Sequence, residues 1–266
     1  MAKQIITSPA SLAMMKINQL LTARIYIPLL LIVIWECLIR FLRLPNYILP
    51  SPFEVFHNLI NYASLIRSNM LATLVETLLG LSLAIILGIL IALSMCLFRP
   101  IHAFFLPLLL ASQALPIFAI APLLVLWFGY GITAKILTTS FMLFFPIANN
   151  FLDGLKQTSE NYLNLAHIMN SSRWQTLCQI RIPAALPNLA SGIRIATAMA
   201  PLGAIIGEWV GSNQGLGFLL LNANAQMQIG LMFAILAVIF FFSILIYFLV
   251  DKLLYLGIPW TFSKSR

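Results

Sequence analysis

Charge is scarce in this sequence. Asp and Glu number 7 and Lys and Arg 15 in 266 residues, 8% of the chain, against 61% hydrophobic residues. So few charges cannot cover the surface of a water-soluble fold, so the composition excludes a soluble domain and points to a polytopic membrane protein. Cysteine is also sparse. Cys37, Cys96 and Cys178 lie far apart in or beside apolar runs, which makes neither a disulfide framework nor a metal-ligand spacing. His57, His102 and His167 fall in separate segments, and the HExxH, GxSxG and GxxxxGK[ST] patterns are missing. No catalytic residue, metal site or cofactor is therefore expected, and an ATP-driven process would need its nucleotide site on another chain. Period-two alternation is lacking too, which excludes a β-barrel and leaves helices as the only way to satisfy backbone groups in lipid.

What the sequence has is long apolar runs. A span needs about 20 apolar residues, and six runs qualify, at about 26–42, 71–98, 101–128, 132–151, 189–210 and 231–250. The fold class expected is all-α, with six transmembrane helices. Residues 1–25 read as a cytoplasmic segment, 26–250 as the membrane domain and 251–266 as a cytoplasmic tail. Lys3, Lys16 and Arg24 before the first run resemble a secretory signal, but no small-residue cleavage site follows Leu42, so the run reads as an uncleaved anchor.

The net charge of +8 could suggest nucleic acid, but its distribution fits topology instead. With the amino terminus inside, only Arg40, Arg43, Arg67 and Lys135 of the 15 basic residues fall outside. The positive-inside rule then places both termini in the cytoplasm, and no nucleic-acid partner is expected. Between the first two runs, Pro50-Ser51-Pro52 precedes apolar residues at Val55, Phe56, Leu59, Ile60 and Leu65, a short amphipathic helix at the outer interface.

The longest polar interruption is the inner connection at 153–188. Leu163, Leu165, Ala166 and Met169 suit one face of a short helix. Asn170 tolerates the left-handed conformation that ends helices, and Ser172 with Gln175 matches a capping box. A second short helix would run from Arg173 to about Ile180, stopped by Pro183 and Pro187. The product is a cytoplasmic helix-turn-helix, either an amphipathic loop at the headgroups or a rigid knob for a partner's groove.

The run NLAHIMNSSRWQTLCQIRIP, Asn164 to Pro183, resembles the characteristic cytoplasmic loop of inner-membrane permeases of binding-protein-dependent ABC importers. That loop reads Glu-Ala-Ala, three residues, Gly, nine residues, Ile, one residue, Leu-Pro. Here Asn164, Leu165 and Ala166 hold the first positions, Asn170 the glycine, Ile180 the isoleucine, and Ile182 and Pro183 the final pair, with the spacing intact. Pro50-Ser51-Pro52, Ala114-Leu115-Pro116, Trp127-Phe128-Gly129, Phe145-Pro146 and Gly215-Leu216-Gly217 are similar to the nitrate, sulfonate and taurine branch. The stretch from Gly207-Glu208 through Leu221-Asn222-Ala223-Asn224-Ala225, with LVETLLG around Glu76, looks most like permeases for pyrimidine precursors of thiamine.

The resemblance implies a permease subunit in the inner membrane, with two ABC ATPase subunits gripping the loop at 164–183. It also implies a periplasmic or lipid-anchored substrate-binding protein outside and a second permease, a copy or a close relative. ATP would be bound only by the partner. Within the membrane, ionisable and polar residues are functional candidates by default. Glu76, Asn149 and Glu208 are candidates for the pathway, while Lys135, Arg194 and Glu208 could instead reach the headgroups. Small residues recur through Gly80, Ala84, Gly88 and Ala92, and through Gly203, Gly207 and Gly211, stripes that allow close helix packing. The second stripe is the better candidate for an interface that opens and shuts. Pro116 and Pro122 would act as hinges or kinks in the third run. The competing function is a secondary transporter needing no ATP, disfavoured by the lack of a repeat and of coupling charges.

Overall fold

The computed structural model describes residues 9–258, with side chains from residue 26 onward. Lys3, Lys264 and Arg266, counted above for orientation, lie outside the described residues. The described chain is helical throughout: α1 (Pro9–Leu42), α2 (Pro52–Asn61), α3 (Ala63–Leu97), α4 (Arg99–Ala114), α5 (Ile117–Phe128) and α6 (Ile132–Lys156). There follow α7 (Glu160–Ile168), α8 (Arg173–Thr176), a π-helical turn (Leu177–Arg181), α9 (Ile182–Gly211), α10 (Leu216–Ala225) and α11 (Ile229–Gly257).

Four stretches are long and apolar enough to cross a membrane unaided: α3, α6, the continuous rod Arg173–Gly211, and α11. The third expected span is not one straight helix. It is α4 and α5, bent by 107°. Pro116 restricts the residue before it to extended backbone, and Leu115 is extended at φ −82° and ψ 123°, which ends α4 there. Pro107 and Pro122 lie inside α4 and α5 without breaking them. Three boundaries also move. Among the described residues the first helix runs from Pro9, so no break falls at residue 25 or 26. The second begins at Ala63, directly after α2, and takes in Leu65.

The third shift is the most consequential. Pro183 and Pro187 do not stop the helix that starts at Arg173. The π turn intervenes, with the Ile182 N–H donating to Leu177 O five residues back. Pro183 has no N–H to give Gln179 O, and the widened turn carries the chain past that missing bond into α9.

The bundle is built around α6. Leu143, Ile147, Phe151, Leu152 and Leu155 of α6 are almost wholly enclosed, with α3 on one side and α9 on the other. In lipid, apolar burial gives helices little reason to associate, so close backbone approach supplies the attraction. A Cβ on Gly80 would sit 2.5 Å from the Thr139 side chain, and one on Gly88 would sit 2.8 Å from Ile147. Both pairs keep an offset of 59 residues, the same as Glu76 to Lys135. A constant offset means that α3 and α6 run parallel, as two spans separated by a returning one must. A smaller cluster near the other end packs α10 against α3 and α11 through Ile66, Leu216, Leu219, Leu231 and Ile235.

Candidate functional site

The half of the bundle away from the helix-turn-helix, the outer half on the expected topology, holds a buried charge network. Glu76 of α3 and Lys135 of α6 are 2% and 4% exposed, and Lys135 Nζ donates to Glu76 Oε1 at 2.5 Å. Charges at this depth are tolerated only when paired. Lys135 therefore does not reach for the headgroups; its ion pair replaces that reading. The Glu208 carboxyl, 1% exposed, neighbours that of Glu76. Glu76 Oε2 is buried without a hydrogen-bond partner among the described residues. Above the pair opens a cavity of about 730 Å³, walled by Tyr130, Trp209 and the 211–214 segment.

Glu208 is committed elsewhere. It accepts from Thr73 Oγ1 at 2.6 Å and from the Gly217 N–H at the start of α10. The Leu216 N–H donates to Thr73 Oγ1 at 2.8 Å, and the Gly215 N–H donates to Asn69 Oδ1 at 2.7 Å. Three N–H groups at the α10 N-terminus, which have no partner inside their own helix, are thus satisfied by side chains from α3 and α9. The Gly215-Leu216-Gly217 motif follows from this. Gly215 stands at φ +112°, and a Cβ there would meet Glu208 Cδ at 2.2 Å; at Gly217 it would meet Ile205 O at 2.8 Å. Glu208 does not line the outer cavity. Its observed work is to cap and anchor α10, a helix that sequence reasoning did not separate from the outer loop.

Gly203 and Gly207 pack against Thr139 and Lys135 of α6, and Gly211 against Val125 of α5. This stripe is filled by close contacts within the chain, as helix-packing positions require. Arg194 likewise pairs with Asp251 of α11 at 2.5 Å rather than reaching the headgroups. Glu36 pairs with Arg40 one turn on along α1, at a surface position. At the inner end of α6, Asn149 donates to Asp153 Oδ2 at 3.2 Å, and Asn150 donates to Pro146 O at 2.7 Å.

The helix-turn-helix at the inner end forms largely for the reasons read from its sequence. Asn170 is left-handed at φ +53°. The Ser171 N–H donates to Ala166 O and the Asn170 N–H to His167 O, the paired bonds of a Schellman stop. Ser172 and Gln175 exchange both bonds of a capping box at 3.2 and 2.9 Å. Ala166 is buried at 3%, and Asn164 is exposed. Ile180, Ile182 and Pro183 are half-buried along the π turn and the start of α9. One expectation fails in detail. Leu165 and Met169 do not share the inward face with Ala166; with Ile168 and Trp174 they stand exposed, an apolar ridge on the outward side.

With this geometry in place, the relatives of the chain are informative. The family described as binding-protein-dependent transport system inner membrane component matches residues 84–258, and the chain belongs to it. A probable ABC transporter permease protein of Haemophilus influenzae is 46% identical over 225 residues, covering 85% of this chain and 92% of that one. The formylaminopyrimidine transport permease protein ThiX of Halalkalibacterium halodurans is 38% identical, covering 87% and 93%. The crystal structure of an amino acid ABC transporter with histidines shares the fold, with a TM-score of 0.61 at 18% identity, over 77% of this chain and 97% of that one. The protein is thus a multi-pass membrane permease of the ABC importer class.

Proposed function

We propose that the chain is the membrane subunit of an ATP-driven importer for a small, flat nitrogen heterocycle, a pyrimidine precursor of thiamine. The observation that carries the importer mechanism is the exposed ridge of Leu165, Ile168, Met169 and Trp174 on a knob whose second helix is continuous with a membrane-spanning rod. Two ATPase subunits grip this ridge on two permease copies. Their closure on ATP moves Arg173–Gly211 as one lever. Six spans follow when α1 is counted and α4–α5 is taken as one broken span, with both termini and the knob on the cytoplasmic side. A binding protein delivers substrate to the opposite face, and the two states differ in how substrate and nucleotide contact them.

The substrate reading is supported by the formylaminopyrimidine relative and by the outer cavity. Tyr130 and Trp209 are among its lining residues, suited to a flat ring, and the Glu76–Lys135 pair lies at its base. The same cavity contains Lys135, which would receive an acid group and favours a sulfonate as the second reading. The deciding experiment is ATPase activity of the permease reconstituted with its ATPase and binding protein, against a ligand panel. Stimulation by an aminopyrimidine is expected. Stimulation by taurine alone would keep the mechanism and overturn the substrate. Transport that persists without any ATPase would replace the importer by a secondary transporter.

A further inference from the structure

A second cavity, of about 910 Å³, lies at the opposite end of the bundle, between the α3–α4 turn and the helix-turn-helix. Its walls carry Arg99, Arg173 and Arg181 with His167, Ser171 and Thr176, and no acidic residue. None of the three arginines forms an ion pair among the described residues. Arg181 is half-buried, and among the described residues its side-chain partner is a thiol, Nη1 donating to Cys96 Sγ at 3.6 Å. A partly desolvated guanidinium with so weak an acceptor is a donor set without its anion. The N-terminus of α4, a helix of 16 residues, opens on the same cavity through Phe98, Arg99 and Pro100, and no side chain caps it. Guanidinium forks and an uncapped helix start converge on one space, and both favour phosphate oxygens.

The cavity is also separate from the docking ridge. Ala166 and His167 turn toward it, whereas Leu165, Ile168 and Met169 point away from it. A partner seated on the ridge would leave the cavity to whatever lies at the membrane boundary. Phe98, 54% exposed in the α3–α4 turn, fits headgroup depth. Basic pockets between spans on the cytoplasmic side are suited to anionic headgroups.

We propose that this cavity binds a phosphate-type anion, carried by an anionic lipid headgroup or free in solution, which ties the α3–α4 turn to the knob. The assignment of the cavity to the cytoplasmic side rests on the proposed function; the anion chemistry does not. Bound anion makes the knob and the inner end of α3 one unit, so that the lever of α9 moves with its neighbour.

Cys96 lines the cavity and serves as reporter. The test uses the full transporter with Cys37→Ala and Cys178→Ala, since both of those thiols are exposed. The rate of Cys96 alkylation by neutral N-ethylmaleimide is measured in discs of phosphatidylcholine and of phosphatidylcholine mixed with phosphatidylglycerol. Sodium phosphate is compared with sodium chloride at matched ionic strength. Anion at ten times its dissociation constant is expected to slow alkylation about elevenfold. Arg99→Gln and Arg181→Gln are each expected to relieve that protection, and Arg181→Lys to keep part of it. Because Arg99 is exposed, its variant tests the site even if Arg181→Gln folds poorly. Protection by phosphatidylglycerol alone assigns the anion to lipid, and protection by free phosphate in phosphatidylcholine discs assigns it to solution. Equal rates in all conditions, or protection that survives both Gln variants, overturns the proposal. ATPase co-purification is scored on the same samples. An assembled transporter with an unprotected Cys96 sinks the anion site alone, and a protected Cys96 in a protein that binds no ATPase sinks the importer reading alone.

Discussion

Lys135→Met isolates the energetics of the buried network. In the native protein one ammonium faces Glu76 at 2.5 Å, with the Glu208 carboxyl next to Glu76. Removing Lys135 leaves two neighbouring carboxyls without a cation, and breaking such a buried pair costs about 3–5 kcal/mol. For a protein of this size that corresponds to a fall of roughly 6–20 °C in thermal midpoint. Glu76→Gln costs less, because the amide oxygen still accepts from Lys135. Glu76→Leu combined with Lys135→Met removes both charges and is expected to recover most of the loss, since an apolar replacement of a buried pair is often neutral or better. Thermal midpoints of purified protein give the stability side of this cycle, and ligand-stimulated ATPase gives the functional side. If the pair also touches substrate, the double variant is stable yet unstimulated. A Lys135→Met protein within about 1 kcal/mol of the parent, or losses that simply add in the double variant, would refute the pairing argument.

Three other substitutions probe separate parts of the fold. Gly217→Ala places a methyl 2.8 Å from Ile205 O, with backbone unable to yield; it is expected to cost about 1–3 kcal/mol, while Gly257→Ala, which meets nothing within 4 Å, leaves the thermal midpoint unchanged. Asn170→Gly keeps the left-handed stop and should be tolerated, whereas Asn170→Val costs about 1–2 kcal/mol locally and should weaken ATPase co-purification. Leu165→Glu with Met169→Glu, both at exposed positions, should abolish ATPase capture with no fall in thermal midpoint; a matching fall would mean that the ridge is packed rather than docked.

What could be read in advance was what rests on local chemistry. The capping box at Ser172 and Gln175, the left-handed Asn170 and the apolar runs at 71–98, 132–151, 189–210 and 231–250 depend on residues within a few positions of one another, and these appear in the structure. What escaped depends on partners distant in sequence. Glu76 meets Lys135 across 59 residues, and Glu208 meets Thr73 across 135. No periodicity reports such a meeting, so Lys135 read as a headgroup anchor, and Glu208 as a headgroup anchor or a pathway candidate. The prolines divide. Pro116, read as a hinge or kink, does break its run, through the conformation of Leu115, while Pro183, read as a stop, is bypassed by a change of hydrogen-bond pitch over the preceding turn. The Gly215-Leu216-Gly217 motif was visible as a motif, but its cause is a carboxylate reaching in from α9.

The π turn gives the chain a mechanical property that two separate helices would lack. Arg173–Gly211 is a 39-residue rod, about 58 Å long at about 1.5 Å per residue. At one end are the capping box and the exposed Trp174. At the other, Trp209, Val210 and Gly211 form part of the wall of the outer cavity, and Glu208 holds α10. Had Pro183 ended the first helix, a push on the knob would have been absorbed by a loop at the membrane surface. Because the hydrogen-bond pattern widens instead of stopping, displacement at the inner end must reappear at the outer end, unless the tight contacts of Gly192 and Gly203 against α6 give way. Those contacts leave no room for sliding, with a Cβ on Gly192 only 2.7 Å from Pro146 O, so α6 is carried along with the rod. Gly80 and Gly88 hold α3 to α6 just as closely, so under the proposed mechanism α3 is carried too, and the Glu76–Lys135 pair lies inside the moving body as a bond that keeps its helices together.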